Sequence, residues 1–206
     1  MSFSSLSNIT VKEARDVLSR VNDMSDVSDF TEGQTRIVAE DLSFYPGTKH
    51  CSVEDDSSTP IKQVSCLYRL ADGIFSIVEH HQQWVMDRNV DFGLVLDVEN
   101  VADYVAFLMA HTPLKAGKMA VLQSIEDMPW RDEPILEVRK GLSSLLTPFL
   151  VEEKSGGKGW HCAFSALYAE SIFTIHADLD NQGRITLLSE EEVASDLPVF
   201  SKAYAV

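Results

Sequence analysis

The sequence predicts an α+β fold: a mainly antiparallel sheet of about six strands packed by about three helices. Short apolar runs of strand type occur in pairs joined by hairpin-turn residues, and only the run at 92–96 passes directly into a helical pattern. The length of 206 residues suits one domain, and the acidic stretch 52–60 is the single weak candidate for a boundary. We therefore expect residues 1–206 to form a single α+β domain.

Three segments have apolar side chains at the three- and four-residue spacing of an amphipathic helix. The first begins after Thr10 and contains Glu13, a capping box that satisfies two backbone N–H groups at a helix start. Asp97 is the expected N-cap of the second helix, and Pro148 ends the third. The helices are predicted at 11–21, 98–110 and 130–146, with a short closing helix at 190–194.

The strand-type runs are separated by turn residues. Asp72 and Gly73 form a strong hairpin signal, and the loops at 155–159 and 180–183 join two further pairs. Residues 47–60 contain little that a strand would bury, so this stretch is expected to be an exposed loop. The predicted strands are 36–44, 61–70, 74–80, 92–96, 118–125, 149–153, 160–168, 171–179 and 184–188; the run at 118–125 also fits a helix.

The chain is strongly acidic, since 32 Asp and Glu residues against 17 Lys and Arg residues give a formal net charge of −15. Because such a surface repels phosphates, direct binding to nucleic acid or to an anionic membrane is not expected. The negative charge favours solubility. If the charge also serves in binding, it favours a basic protein partner. The candidate partner-binding residues, all expected to be exposed, are Glu54, Asp55, Asp56, Glu190, Glu191 and Glu192.

Cysteine content and the first residues of the chain predict a cytoplasmic protein. The three cysteines are an odd number outside any dense framework, which is typical of a reducing compartment. The first residues lack the basic and apolar regions of a signal peptide. No apolar run reaches the ~20 residues that a membrane span requires.

Two loops partly match ligand-binding motifs. Gly159 follows Lys158 in the glycine-rich loop 155–159, where a phosphate-binding loop requires Ser or Thr before a helix. The stretch 178–183 matches the start of a calcium loop, but Ser189 stands where the bidentate glutamate is required. No histidine or cysteine pair has zinc-type spacing. The sequence therefore predicts no metal site and no cofactor.

The most suggestive candidate site is one face of the predicted strand 171–179. Thr174, His176 and Asp178 alternate with apolar residues, so period two places these three side chains on the face opposite the core. A histidine near a carboxylate can act as a general base or a proton relay. The same alternation is also the ordinary solvated face of an antiparallel sheet.

Two functional classes remain, and no motif decides whether the protein is an enzyme. The first is a non-catalytic, acidic cytosolic protein that acts through protein–protein interaction or regulation, which the charge favours. The alternative is a small-molecule-binding domain or enzyme that uses His176 and Asp178 in a pocket between sheet and helices. Oligomeric state cannot be read from the sequence.

Overall fold

The computed structural model describes residues 5–24, 29–112 and 118–200. Within these ranges the chain forms four helices and two five-stranded, mostly antiparallel sheets. The predicted α+β class is confirmed, although two sheets replace the one predicted and the helices number four. The chain divides into two compact units, Met1–Glu79 with Asp91–Gly93 and His80–Val90 with Leu94–Val206. That residues 1–206 act as a single domain stays a prediction.

The elements are numbered in chain order. The helices are α1 (Val11–Met24), α2 (Gln82–Asp91), α3 (Val101–His111) and α4 (Leu136–Ser143). The strands are β1 (Ser5–Ser7), β2 (Thr35–Asp41), β3 (Thr48–Asp55), β4 (Lys62–Arg69), β5 (Ile74–Ile77), β6 (Met119–Leu122), β7 (Leu150–Glu153), β8 (Trp160–Tyr168), β9 (Ser171–Leu179) and β10 (Ile185–Ala194). None of the helices in the described ranges combines the length and apolar composition needed to cross a membrane.

The first unit is built on the sheet β1–β2–β3–β4–β5, in which only the β1–β2 pair is parallel. The capping box predicted at the start of α1 is present: Glu13 N donates to Thr10 Oγ1 at 3.3 Å, and Thr10 N donates to Glu13 Oε2 at 2.9 Å. The apolar stripe of α1 packs in one cluster with side chains of β2, β3 and β4. Local capping and helical periodicity therefore suffice to place this helix.

The structure has strand β3 within the stretch 47–60, where the sequence predicted an exposed loop. Cys51 and Val53 are fully buried and alternate with more exposed side chains, which is the pattern of a half-buried strand. The acidic residues at the end of this stretch concealed the alternation. Cys51 lies directly opposite Cys66 of β4, and both are free thiols. The hydrogen bond with the neighbouring Cys51 thiol, and then burial, raise the pKa of Cys66, so its thiol stays protonated near neutral pH.

The second unit is built on the sheet β10–β9–β8–β6, with β7 paired to β8 beyond the end of β6. Along β8 the side chains of Cys162 and Phe164 are buried on the inner face, and α3 lies against β6. One end of the outer face is covered, because Leu167 and Ile172 pack with the 3-10 turn at Ile125–Asp127, with Leu197 and with Val199. The other end of the outer face, at the loop between β7 and β8, carries polar side chains.

Two further segments differ from the prediction because local sequence signals misled. The run at 92–96 is no strand: Leu94 N donates to Asn89 O at 2.9 Å, and Gly93 with φ +67° follows the end of helix α2, which the sequence did not predict. Residues 190–194 are no helix, because they extend β10 by pairing with β9.

Helix α4 is shorter than the predicted 130–146. Trp130 forms a β-bridge with Val199, and Ile135 is extended, so the helix begins only at Leu136. Pro134 disfavours helical backbone at Glu133, the residue before it, so a helix does not begin at 130–133. None of the helix's own side chains is fully buried, although Leu142 packs against the outer-face cluster.

Candidate functional site

The candidate site is the polar end of the outer face of the second sheet. Strand register places Glu152 of β7, His161 of β8 and Asp178 of β9 side by side in one row across the sheet. In the next row Leu150, Ala163 and His176 are neighbours in the same order. Antiparallel pairing of β7, β8 and β9 thus collects two imidazoles and two carboxylates on one surface.

Asp178 is the centre of a hydrogen-bonded cluster. Its Oδ1 lies 2.5 Å from His161 Nδ1, and Lys154 Nζ donates to its Oδ2 at 2.5 Å. The Lys154 ammonium and then His161 lower the pKa of Asp178, so this carboxylate is ionised at neutral pH. With Nδ1 engaged by the carboxylate, the ring of His161 is oriented, and its side chain is 53% exposed.

A substitution at Lys154 tests the electrostatics of this cluster. In Lys154→Gln we expect the pKa of Asp178 to rise toward its ordinary value of 3.8, because the cation that lowers it most is lost. The stabilisation due to ionised Asp178 is present above that ordinary value and is lost as pH falls through the lower folded pKa. Carboxyl NMR titration measures the shift. The exposed Lys158 of the same turn provides the control Lys158→Gln, which should leave the pKa unchanged.

A concavity lies beside this cluster. Ala163 is the small residue between Leu150 and His176 in its row, and the surface dips there into a cavity of 350 Å³. Its lining consists of Leu150, Val151, Glu152, His161, Cys162, Ala163 and His176. Burial and then Asp178 raise the pKa of Cys162 to about 11, so this thiol is protonated and a weak nucleophile at neutral pH.

Register also connects two sets of residues that the sequence left separate. Glu191 of β10 lies opposite Thr174 of β9, so its side chain is on the outer face with Thr174, His176 and Asp178. Glu190 and Glu192 flank it and are exposed on the same edge strand. The Thr174 hydroxyl lies 3.4 Å from Thr147 Oγ1. The candidate ligand-binding residues and one candidate partner-binding residue, Glu191, therefore belong to one face, with Glu190 and Glu192 on the edge beside it.

The other acidic candidates belong to the first unit, at the end of β3. Asp55 is buried and accepts hydrogen bonds from Ser57 N at 2.9 Å and Ser57 Oγ at 2.7 Å, so the expectation that it is exposed is wrong. Glu54 is only partly exposed, contrary to expectation, and forms an ion pair with Arg36, whose Nε also lies 4.0 Å from Asp56. These three carboxylates are engaged within their own unit.

Lys154, His161 and Glu152 are site residues that sequence reasoning did not find. The hairpin signal at 155–159 predicts the loop that contains Lys154's neighbours, and period two predicts the outward face for Asp178. The contact between His161 and Asp178 depends on the register between strands β8 and β9. A one-residue shift of that register would move one strand's side chains to the opposite face of the sheet. The sequence carries no independent marker of that register.

A polar cluster on the other side of the second unit holds the β9–β10 turn. Asn89 Nδ2 donates to Tyr104 Oη at 2.8 Å and to Gln182 O at 2.9 Å. Tyr104 Oη donates to Gly183 O at 2.8 Å. Because Asn89 and Tyr104 are buried, this network anchors the loop from which β10 departs.

Among the described residues, no group of three or more His, Cys, Asp or Glu side chains is arranged to hold a metal ion. No protein-family model, curated protein or solved structure matches the chain. The functional inference therefore rests on the geometry of the polar outer face.

Proposed function

We propose that this is a non-catalytic cytoplasmic protein that binds a basic protein partner through the polar outer face and the β10 edge of its second sheet. The register that places Glu191 on the same face as Thr174, His176 and Asp178 carries the proposal. It makes one continuous polar surface from residues of β7, β8, β9 and β10.

The sign of the charge at this surface favours a basic partner. Glu152 and Glu191 are exposed and form no ion pair with any residue that the structure describes, whereas Lys154 is already engaged with Asp178. The net charge of −15 adds a long-range field of the same sign. Such a field accelerates encounter with a positively charged protein and repels nucleic acid. We therefore expect an association rate that falls steeply as salt concentration rises.

The open surface suits binding better than catalysis. His161 and His176 are exposed on a sheet face rather than enclosed in a water-excluding cleft. The nearest thiol, Cys162, is buried on the inner-face side of β8 with a raised pKa. The His161–Asp178 pair then acts as a hydrogen-bonding and charge-bearing contact for a partner's side chains.

Charge-neutral variants test the proposal. We expect Glu152→Gln with Glu191→Gln to reduce capture of a basic protein from source-cell extract at low salt by about tenfold, since each exposed ion pair contributes modestly. The matched control is Glu99→Gln with Glu170→Gln, which removes two exposed charges elsewhere in the second unit. Quantitative mass spectrometry compares the captures, and the purified partner is then titrated against both variants. Equal affinity for both would refute the assigned surface.

The cavity beside His161 supports a second candidate function, the binding of a small polar molecule. An oriented imidazole, a second imidazole and Glu152 converge on the 350 Å³ cavity, so a ligand with hydrogen-bonding groups fits it. A metabolite library screened by thermal shift tests this. A ligand that raises Tm for the wild type but not for His176→Ala would favour it over the protein partner.

A further inference from the structure

We infer that the basic partner binds in extended form, as a short strand added to the free edge of β10. This inference rests on the proposed function and specifies the mode of binding. In strand addition, main-chain hydrogen bonds give affinity and alternate side chains give specificity.

Strand β10 has the features of an unoccupied edge. Within the described ranges it pairs with β9 on one side only and stands at the end of its sheet, so the other side presents backbone N–H and C=O groups. Every residue from Thr186 to Glu192 is exposed, including Leu187 at 44% and Leu188 at 59%. A stretch whose side chains are exposed on both faces gains buried surface when another strand joins it.

Two irregularities limit the length of the added strand. The register with β9 shifts between Leu187 and Ser189 and again between Glu192 and Ala194. Between these shifts, the four residues from Ser189 to Glu192 pair regularly with β9. Because bulges twist an edge away from flat pairing, the regular stretch is the part available to a partner. We therefore expect a contact of about four residues.

The negative charge of this edge favours a basic partner segment. The regular stretch contains Glu190, Glu191 and Glu192, with Glu191 on the outer face and its two neighbours on the opposite face. Like charges placed opposite each other destabilise a strand pair, so a second copy of this chain is disfavoured there. A partner segment with three consecutive Lys or Arg residues places one cation opposite each carboxylate.

A capped five-residue peptide, with three consecutive lysines flanked by valine and threonine, is the probe. Its control is the same peptide N-methylated at each lysine amide, which keeps the charge but removes N–H donors needed for strand pairing. Fluorescence anisotropy at low salt measures both affinities, and amide hydrogen exchange shows which residues the peptide protects. The protein variant is Glu190→Gln with Glu191→Gln and Glu192→Gln, whose exposed side chains leave the fold intact.

The expected result is that the unmodified peptide slows exchange at residues 189–192. N-methylation and the triple substitution should each weaken binding by about tenfold or more. If the methylated and unmodified peptides bound with equal affinity, strand addition would be overturned. The proposed surface would still be supported if the variant Glu152→Gln with Glu191→Gln lost capture of the partner. Failure of the unmodified peptide to bind also overturns the inference. A wild-type dimer with β10 protected would identify a second copy as the occupant and overturn it as well.

Discussion

Replacing Gly159 with alanine is expected to lower the free energy of unfolding of the second unit by roughly 4 kcal/mol. Gly159 has φ +112°, and a Cβ there would lie 2.0 Å from Leu179 O and 2.9 Å from Asp180 Cα. These are backbone atoms of β9 and its turn, so no side-chain rotation relieves the overlap. Denaturant unfolding followed by tryptophan fluorescence measures the loss, since all three tryptophans belong to the second unit.

Gly157 in the same loop provides the control. It also has positive φ, at +66°, but the nearest atom to an added Cβ is Glu153 Oε1 at 3.8 Å. Gly157→Ala should therefore cost only the backbone preference, about 1 kcal/mol. If both alanine variants lose equal stability, the close approach of Gly159 to β9 is not the cause.

Gly183→Ala is expected to destabilise the second unit by roughly 3 kcal/mol. An added Cβ would lie 2.1 Å from Tyr104 Oη and 2.5 Å from Asn89 Nδ2, the two groups that anchor the β9–β10 turn. Gly156 has the same φ of +80° with nothing within 4 Å, so Gly156→Ala isolates the backbone cost.

A double-mutant cycle then identifies the clash in Gly183→Ala. Tyr104→Phe removes the hydroxyl that the new methyl group would strike, so it should cost less stability in the Gly183→Ala background than in the wild type. Additive losses in the double variant would contradict a direct clash at this oxygen. Unfolding by denaturant, monitored as for Gly159→Ala, supplies the four free energies.

Elements specified by local signals were predicted well. Helix α1 has its capping box and apolar stripe within 14 residues, and the β4–β5 hairpin has its Asp-Gly turn between two strands. Both depend on interactions between residues close in sequence. Strand β3 and helix α2 were missed because tertiary packing determines them: Val53 is buried in the cluster that contains helix α1, and the buried Trp84 ring packs edge-on to His111. Local polarity at 54–58 and 80–83 obscured both.

The sequence predicted which face of β9 carries the candidate site, but it did not predict which residues of other strands contact Asp178. Alternation in β9 placed Thr174, His176 and Asp178 together on one side, where the structure also has them. The partners of Asp178, by contrast, come from β8 and from the β7–β8 loop through strand register. Helix propensity at 190–192 argued for a helix, and pairing with β9 overrode it. Lateral order in a sheet is a property of the whole fold, so one strand's sequence does not specify it.

Site-specific photo-crosslinking in source cells tests the central claim most directly. A photoreactive residue replaces Glu191 on the outer face in one variant, and the exposed Glu170 of the β8–β9 turn in the control. We predict adducts from position 191 to a protein with a basic segment, and none of that protein from position 170. Equal adducts from both positions, or none from position 191, would contradict the claim that this surface binds a basic partner.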